Sequence, residues 1–130
     1  MVIQDKVLRR LSNFDATDLG PHATALYREL GSVASAGLPV TTVILAAAIV
    51  DVVRHEEAGP AGYLDGAVFS FAGSAANLNW LRGRRNHLVH YEGPNDGLMG
   101  EGDAFRWLTS DAERAVTALL DFLNELTLSD

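Results

Sequence analysis

The chain contains no cysteine in its 130 residues. Disulfides, thiolate metal sites and cysteine nucleophiles are therefore excluded. A cysteine-free chain fits a reducing compartment, and the expected location is cytoplasmic. Long apolar runs are also missing. The most apolar stretch, Val40 to Val53, is interrupted by Thr41, Thr42 and Asp51, and it falls short of the roughly 18 to 20 residues that span a bilayer. No membrane partner is expected. The start, Met-Val-Ile-Gln-Asp-Lys, lacks the basic segment and apolar run of a secretory signal. No segment of useful length alternates with period two, so no sheet is expected. There is no Walker loop, dinucleotide fingerprint or Ser-His-Asp arrangement. His55-Glu56-Glu57 begins like a zinc-binding H-E-x-x-H, but position 59 is Gly. Asp96, Glu101 and Asp103 lack EF-hand spacing. Neither a metal nor a cofactor is expected.

Basic residues are scarce, 10 against 17 acidic ones, for a net charge of −7. That balance argues against a protein that coats nucleic acid. The distribution is more informative than the total. No acid lies between Asp65 and Glu92, while Arg82, Arg84 and Arg85 all fall there, with His87 and His90 beside them. The remaining 7 bases face all 17 acids, giving a body of −10 around a local +3.

What is present reads as one helical domain over residues 1–130. Apolar residues are 48% of the chain and charged ones 21%, an ordinary globular balance. Ile3, Val7, Leu8 and Leu11 predict a short helix over Val2 to Leu11. Leu19, Ala23, Leu26, Tyr27, Leu30, Val33 and Ala34 predict a second from about Asp18 to Ala36, stopped by Gly37 before Pro39. The third, Pro39 to about Glu57, is apolar nearly all round up to Val53 and should be the central element. From about Tyr63 the pattern is helical to about Tyr91, with a break near Gly73-Ser74. Ser110-Asp111-Ala112-Glu113 has the form of a capping box opening the last helix. The expected fold class is all-α, a four- to five-helix up-and-down bundle.

At 100° per residue, Leu78, Leu81, Leu88 and Val89 share one face of the basic helix, with Arg85 among them. An arginine inside an apolar stripe is costly unless paired or placed at an interface. Asp51, the one acid inside the apolar part of the third helix up to Val53, is the candidate partner, and a carboxylate there would orient the guanidinium. Arg82, Asn86 and His90 follow at i, i+4 and i+8 as a polar ridge, and Gly83 leaves room beside it. Arg84 and His87 are expected on a solvated face, and Trp80 and Trp107 in core or interface packing. Geometry thus singles out Arg82, Arg85, Asn86 and His90.

The run Arg85-Asn86-His87-Leu88-Val89-His90 resembles the R-x4–6-H signature of HEPN domains, in its R-N-x3-H form. These are small helical bundles in which the signature ends a late helix, before a loop and a closing helix. The resemblance implies a metal-independent endoribonuclease of toxin or defence type, with a composite Arg/His cleft at a homodimer interface, RNA as substrate and an antitoxin protein as partner. Carried over, Arg85 binds the scissile phosphate, His90 moves the proton of the ribose 2′-hydroxyl, and Asn86 orients the site. Arg82 is placed for a phosphate contact, with Asp51 in support. A histidine suits general acid–base work, and a guanidinium holds phosphate oxygens bidentately. The tyrosine that extends the signature in one subgroup is absent, since Glu92 stands there and Tyr91 directly follows His90. The competing expectation is a non-catalytic HEPN-like module that binds nucleotide or protein.

Overall fold

A computed structural model of the chain describes residues 3–16, 19–57, 75–91, 98, 100 and 102–128. Five helices account for nearly all of them: α1 (Asp5–Asn13), α2 (Pro21–Ser35), α3 (Pro39–Glu57), α4 (Ala75–Val89) and α5 (Ala104–Leu128). Among the described residues there is no strand. The fold is an all-α bundle.

The apolar third helix is the centre, packing against α2, α4 and α5. Thr42, Val43, Ala46, Ala47, Ile49, Val50 and Val53 are all buried, so an all-round apolar sequence has become an element enclosed on several sides. Thr42 removes the cost of its buried hydroxyl by donating to the Leu38 carbonyl at 2.8 Å. Pro39 supplies the fixed φ of a first helical turn. The turn before it is a Schellman motif: Gly37 has φ 73°, its N–H donates to Ala34 and that of Leu38 to Val33. So short a connection between two extensively packed helices makes α2 and α3 antiparallel.

Side-chain contacts fix two more directions. Gln4 meets Glu113 and Arg10 meets Asp121, so α1 and α5 run the same way. Arg84 meets Asp111 and Trp80 meets Arg114, so α4 and α5 run in opposite ways. These directions are those of an up-and-down bundle.

The capping box is not where the last helix starts. α5 begins six residues earlier, at Ala104, and the Trp107 N–H donates to the Asp103 carbonyl as the first turn closes. Ser110 to Glu113 lie inside it. Glu113 still performs cap chemistry, but on another helix: its Oε2 accepts the Gln4 N–H at 2.7 Å, where α1 has no side-chain cap of its own. A carboxylate at that end satisfies an orphan donor and opposes the positive end of the α1 dipole. α1 and α2 begin later than predicted, at Asp5 and Pro21. The helical pattern expected from Tyr63 is described only from Ala75, and the rest of it lies outside the described residues, as do most of positions 92 to 101.

Candidate functional site between α3 and α4

α4 carries few apolar side chains, and Leu81 is its one member of the buried core cluster among the described residues. Its rotation differs from the one the apolar stripe predicts. The centre of the inward face is Leu81 with Arg84, while Val89 is exposed. Arg84, expected in solvent, is 9% exposed and is the buried arginine of the cluster. Its Nε donates to Asp111 Oδ2 of α5 at 2.6 Å. The aliphatic stem of arginine explains the difference, because it packs like an apolar residue while the head finds a carboxylate. On the same side Trp80 stacks under the Arg114 guanidinium, 4.1 Å from its ring centroid. Trp107, expected in core or interface packing, is 54% exposed on the isolated chain.

Arg85 sits on the flank that faces α3, with a side-chain exposure of 28%. The expected pair with Asp51 is present, Nη1 to Oδ2 at 3.3 Å. Arg85 Nε also donates to the Asn86 side-chain oxygen at 3.1 Å. Two acceptors on different nitrogens hold the guanidinium plane, so Asn86 and Asp51 both act on Arg85. The narrow cleft beside it, lined in part by Val50, Asp51, Arg54, Leu81 and Arg82, has about 20 Å³ of space, room for a water molecule and not for a nucleobase. Any larger ligand must meet Arg85 from its open side.

His90 lies just beyond the last residue of α4 and is exposed; its N–H donates to the Asn86 carbonyl at 3.0 Å. The helical ridge Arg82, Asn86, His90 is therefore intact, with Arg82 exposed at its other end. The described contacts join Arg85, Asn86 and Asp51 and include none from His90 to Arg85. At Gly83, two helical turns before His90, an added Cβ would meet nothing within 4 Å, so the helix surface is open there. Glu92 lies outside the described residues.

Two residues were missed from the sequence. Arg54 and His55, in the last turn of α3, line a shallow hollow of about 180 Å³ together with Asp51 and Arg82. His55 Nδ1 lies 2.7 Å from the Asp51 carbonyl oxygen, which can only accept, so Nδ1 carries the proton and Nε2 is turned away from it. The signal was available: Asp51, Arg54 and His55 stand at i, i+3 and i+4, one face of one helix. Reading His55 as the first residue of a failed zinc motif hid it. Among the described residues, no three histidine or carboxylate side chains gather in the way a metal ion requires, and no helix is long and apolar enough to cross a membrane. No family model, curated protein or solved structure matches the chain.

Proposed function

We propose that the protein is a HEPN-like, metal-independent endoribonuclease working in the cytoplasm as a homodimer and restrained by an antitoxin partner. The observation that carries this is the Asp51–Arg85–Asn86 arrangement at the base of the ridge that ends in His90. A guanidinium fixed in its plane by two acceptors is preorganised for a phosphate, which lowers the ordering cost of binding. In the reaction His90 removes the 2′-hydroxyl proton as that oxygen attacks phosphorus. The bond from phosphorus to the 5′ oxygen breaks, and the leaving oxygen takes a proton from water, which reaches this exposed end of α4. The products are a 2′,3′-cyclic phosphate and a 5′-hydroxyl. Arg85 balances the charge that develops on the phosphate oxygens.

The dimer is supported by the exposed Val89, Tyr91, Phe105 and Trp107. They lie where α4 ends and the antiparallel α5 begins, the end that also bears His90. Apolar side chains gathered at one end of a small domain are the kind of surface a partner covers. The test is cleavage of RNA in EDTA, abolished by His90→Ala and by Arg85→Ala while both variants keep the wild-type circular dichroism spectrum. Activity that survives both substitutions rejects the site. Intact RNA with nucleotide binding that depends on Arg85 assigns the chain to the non-catalytic module instead.

A further inference from the structure

The hollow at the end of α3 is separate from the place where His90 acts. Arg82 and His90 are eight residues apart on one helix, about 12 Å along its axis. That length suits two successive phosphates of one strand, with the proton-transfer group within about 3 Å of its target at one end and Arg82 at the other. The hollow gathers Arg54 and His55 from α3 and Arg82 from α4 around a volume of about 180 Å³. That is ample for a phosphate group with its water, which the roughly 20 Å³ beside Arg85 is not.

Basic residues in a last turn complement the negative end of a helix dipole, and that accounts for Arg54 and His55. It does not account for Arg82, which reaches the same space from the neighbouring helix. The Arg82 guanidinium outweighs the half-charge of the helix end, and the Asp51 carboxylate is engaged by Arg85. His55 is set for an anion as well. With Nδ1 committed to a carbonyl, a proton added at Nε2 makes a second donor directed away from the backbone. Among the described residues, the charged groups that line the hollow with it are Asp51 and Arg54 on its own helix and Arg82 on α4.

We infer that the hollow is a second anion subsite, holding the phosphate of a neighbouring nucleotide when single-stranded RNA lies with its scissile phosphate at Arg85. The strand assignment rests on the ribonuclease reading; the anion site does not. It is tested by nuclear magnetic resonance of the histidine side chains in the intact chain. The probes are inorganic phosphate and a short oligodeoxynucleotide, which cannot be cut because it lacks the 2′-hydroxyl. The expected result is a saturable shift of the His55 resonances with both. Arg54→Gln with Arg82→Gln should weaken oligodeoxynucleotide binding about tenfold, as should His55→Gln, and the double variant should flatten the salt dependence by about 0.7 in log–log slope, one phosphate's share on a single strand.

Unchanged affinity in variants that retain their circular dichroism spectrum overturns the subsite. A His55 shift with phosphate alone overturns the strand assignment and leaves a small-phosphate site. The ribonuclease reading fails separately. Oligodeoxynucleotide bound as expected while RNA stays intact removes the nuclease and keeps the hollow. RNA cut by the Arg54/Arg82 variant with a wild-type KM removes the hollow and keeps the nuclease.

Discussion

Arg84 and Arg85 are adjacent in sequence, each pairs with an aspartate on another helix, and the structure gives the two pairs different work. Replacing Asp111 with alanine takes the carboxylate from a guanidinium that is only 9% exposed, Asp111 itself being 22% exposed. Breaking a fully buried pair costs about 3–5 kcal/mol; with one partner partly solvated, about 2–3 kcal/mol is expected. The unfolding entropy of 130 residues, at about 2.1 cal/mol/K each, is roughly 0.27 kcal/mol/K, so the melting temperature should fall by about 7–11 °C. Asp51→Ala removes a longer contact whose partners are 28% and 41% exposed. A pair so solvated contributes about 0–1 kcal/mol, or less than about 4 °C. The assay is thermal unfolding followed at 222 nm, with urea midpoints as a check that the slope is unchanged. Joint replacement by Arg84→Met and Asp111→Leu should recover most of the loss, because an apolar pair of similar size needs no desolvation of charge. Equal melting losses for Asp111→Ala and Asp51→Ala would refute the division of labour, and so would a double variant no better than the single one.

Further outcomes follow from other contacts. Asp51→Ala, folded, should lower RNA cleavage by about 10- to 100-fold through kcat, since its carboxylate positions Arg85; an unchanged rate would show that Asn86 alone suffices. Tyr27 has its phenol pushed up to about 12 by burial, an effect only partly offset by Arg10. The folded state holds that proton longer than the unfolded chain does, so the associated stability is complete below pH 10 and is lost as pH rises towards 12. Denaturation midpoints across that window, compared with Tyr27→Phe, check the sign. Tyr27→Phe itself should cost about 1 kcal/mol at neutral pH, through the lost donor to the Leu11 carbonyl. Glu113→Ala should leave the α5 amides protected while those at the start of α1 exchange faster, a loss of about 0.5–1 kcal/mol confined to one helix end.

The all-α fold was legible because α5 declares itself by its apolar period and α3 by the length of its apolar run. Gly37 before Pro39 marked a turn that backbone chemistry leaves little choice about. The capping box misled for a physical reason. Ser, Asp and Glu at those spacings are equally good interior residues when their side chains have work elsewhere, and Asp111 and Glu113 serve α4 and α1. Within the site, Asp51 was identifiable as the lone acid of the apolar stretch Val40 to Val53, and it does meet Arg85. The rotation of α4 was not legible. Its few leucines are compatible with two neighbouring azimuths, and scoring arginine as polar chose the one in which Arg84 is solvated. Arg54 and His55 acquire meaning only when Arg82 arrives from another helix, a convergence that no local pattern encodes.

The two charge pairs that tie α4 to its neighbours have a consequence for how the molecule opens. α2, α3 and α5 share a continuous apolar core; among the described residues α4 adds Leu81 to it, packs Leu78, Trp80 and Leu88 against it, and is tied to α5 by the Arg84 pair and to α3 by the Arg85 pair. Charge pairs that are partly solvated weaken as ionic strength rises, while buried leucine contacts do not. Where α4 opens below the global transition, salt should lower the free energy of that partial opening more than that of complete unfolding. The seam that parts is the one between Asp51 and Arg85. The same electrolyte that screens a polyanion from the basic ridge would also dismantle the ridge's support, so ionic strength would act on this protein twice.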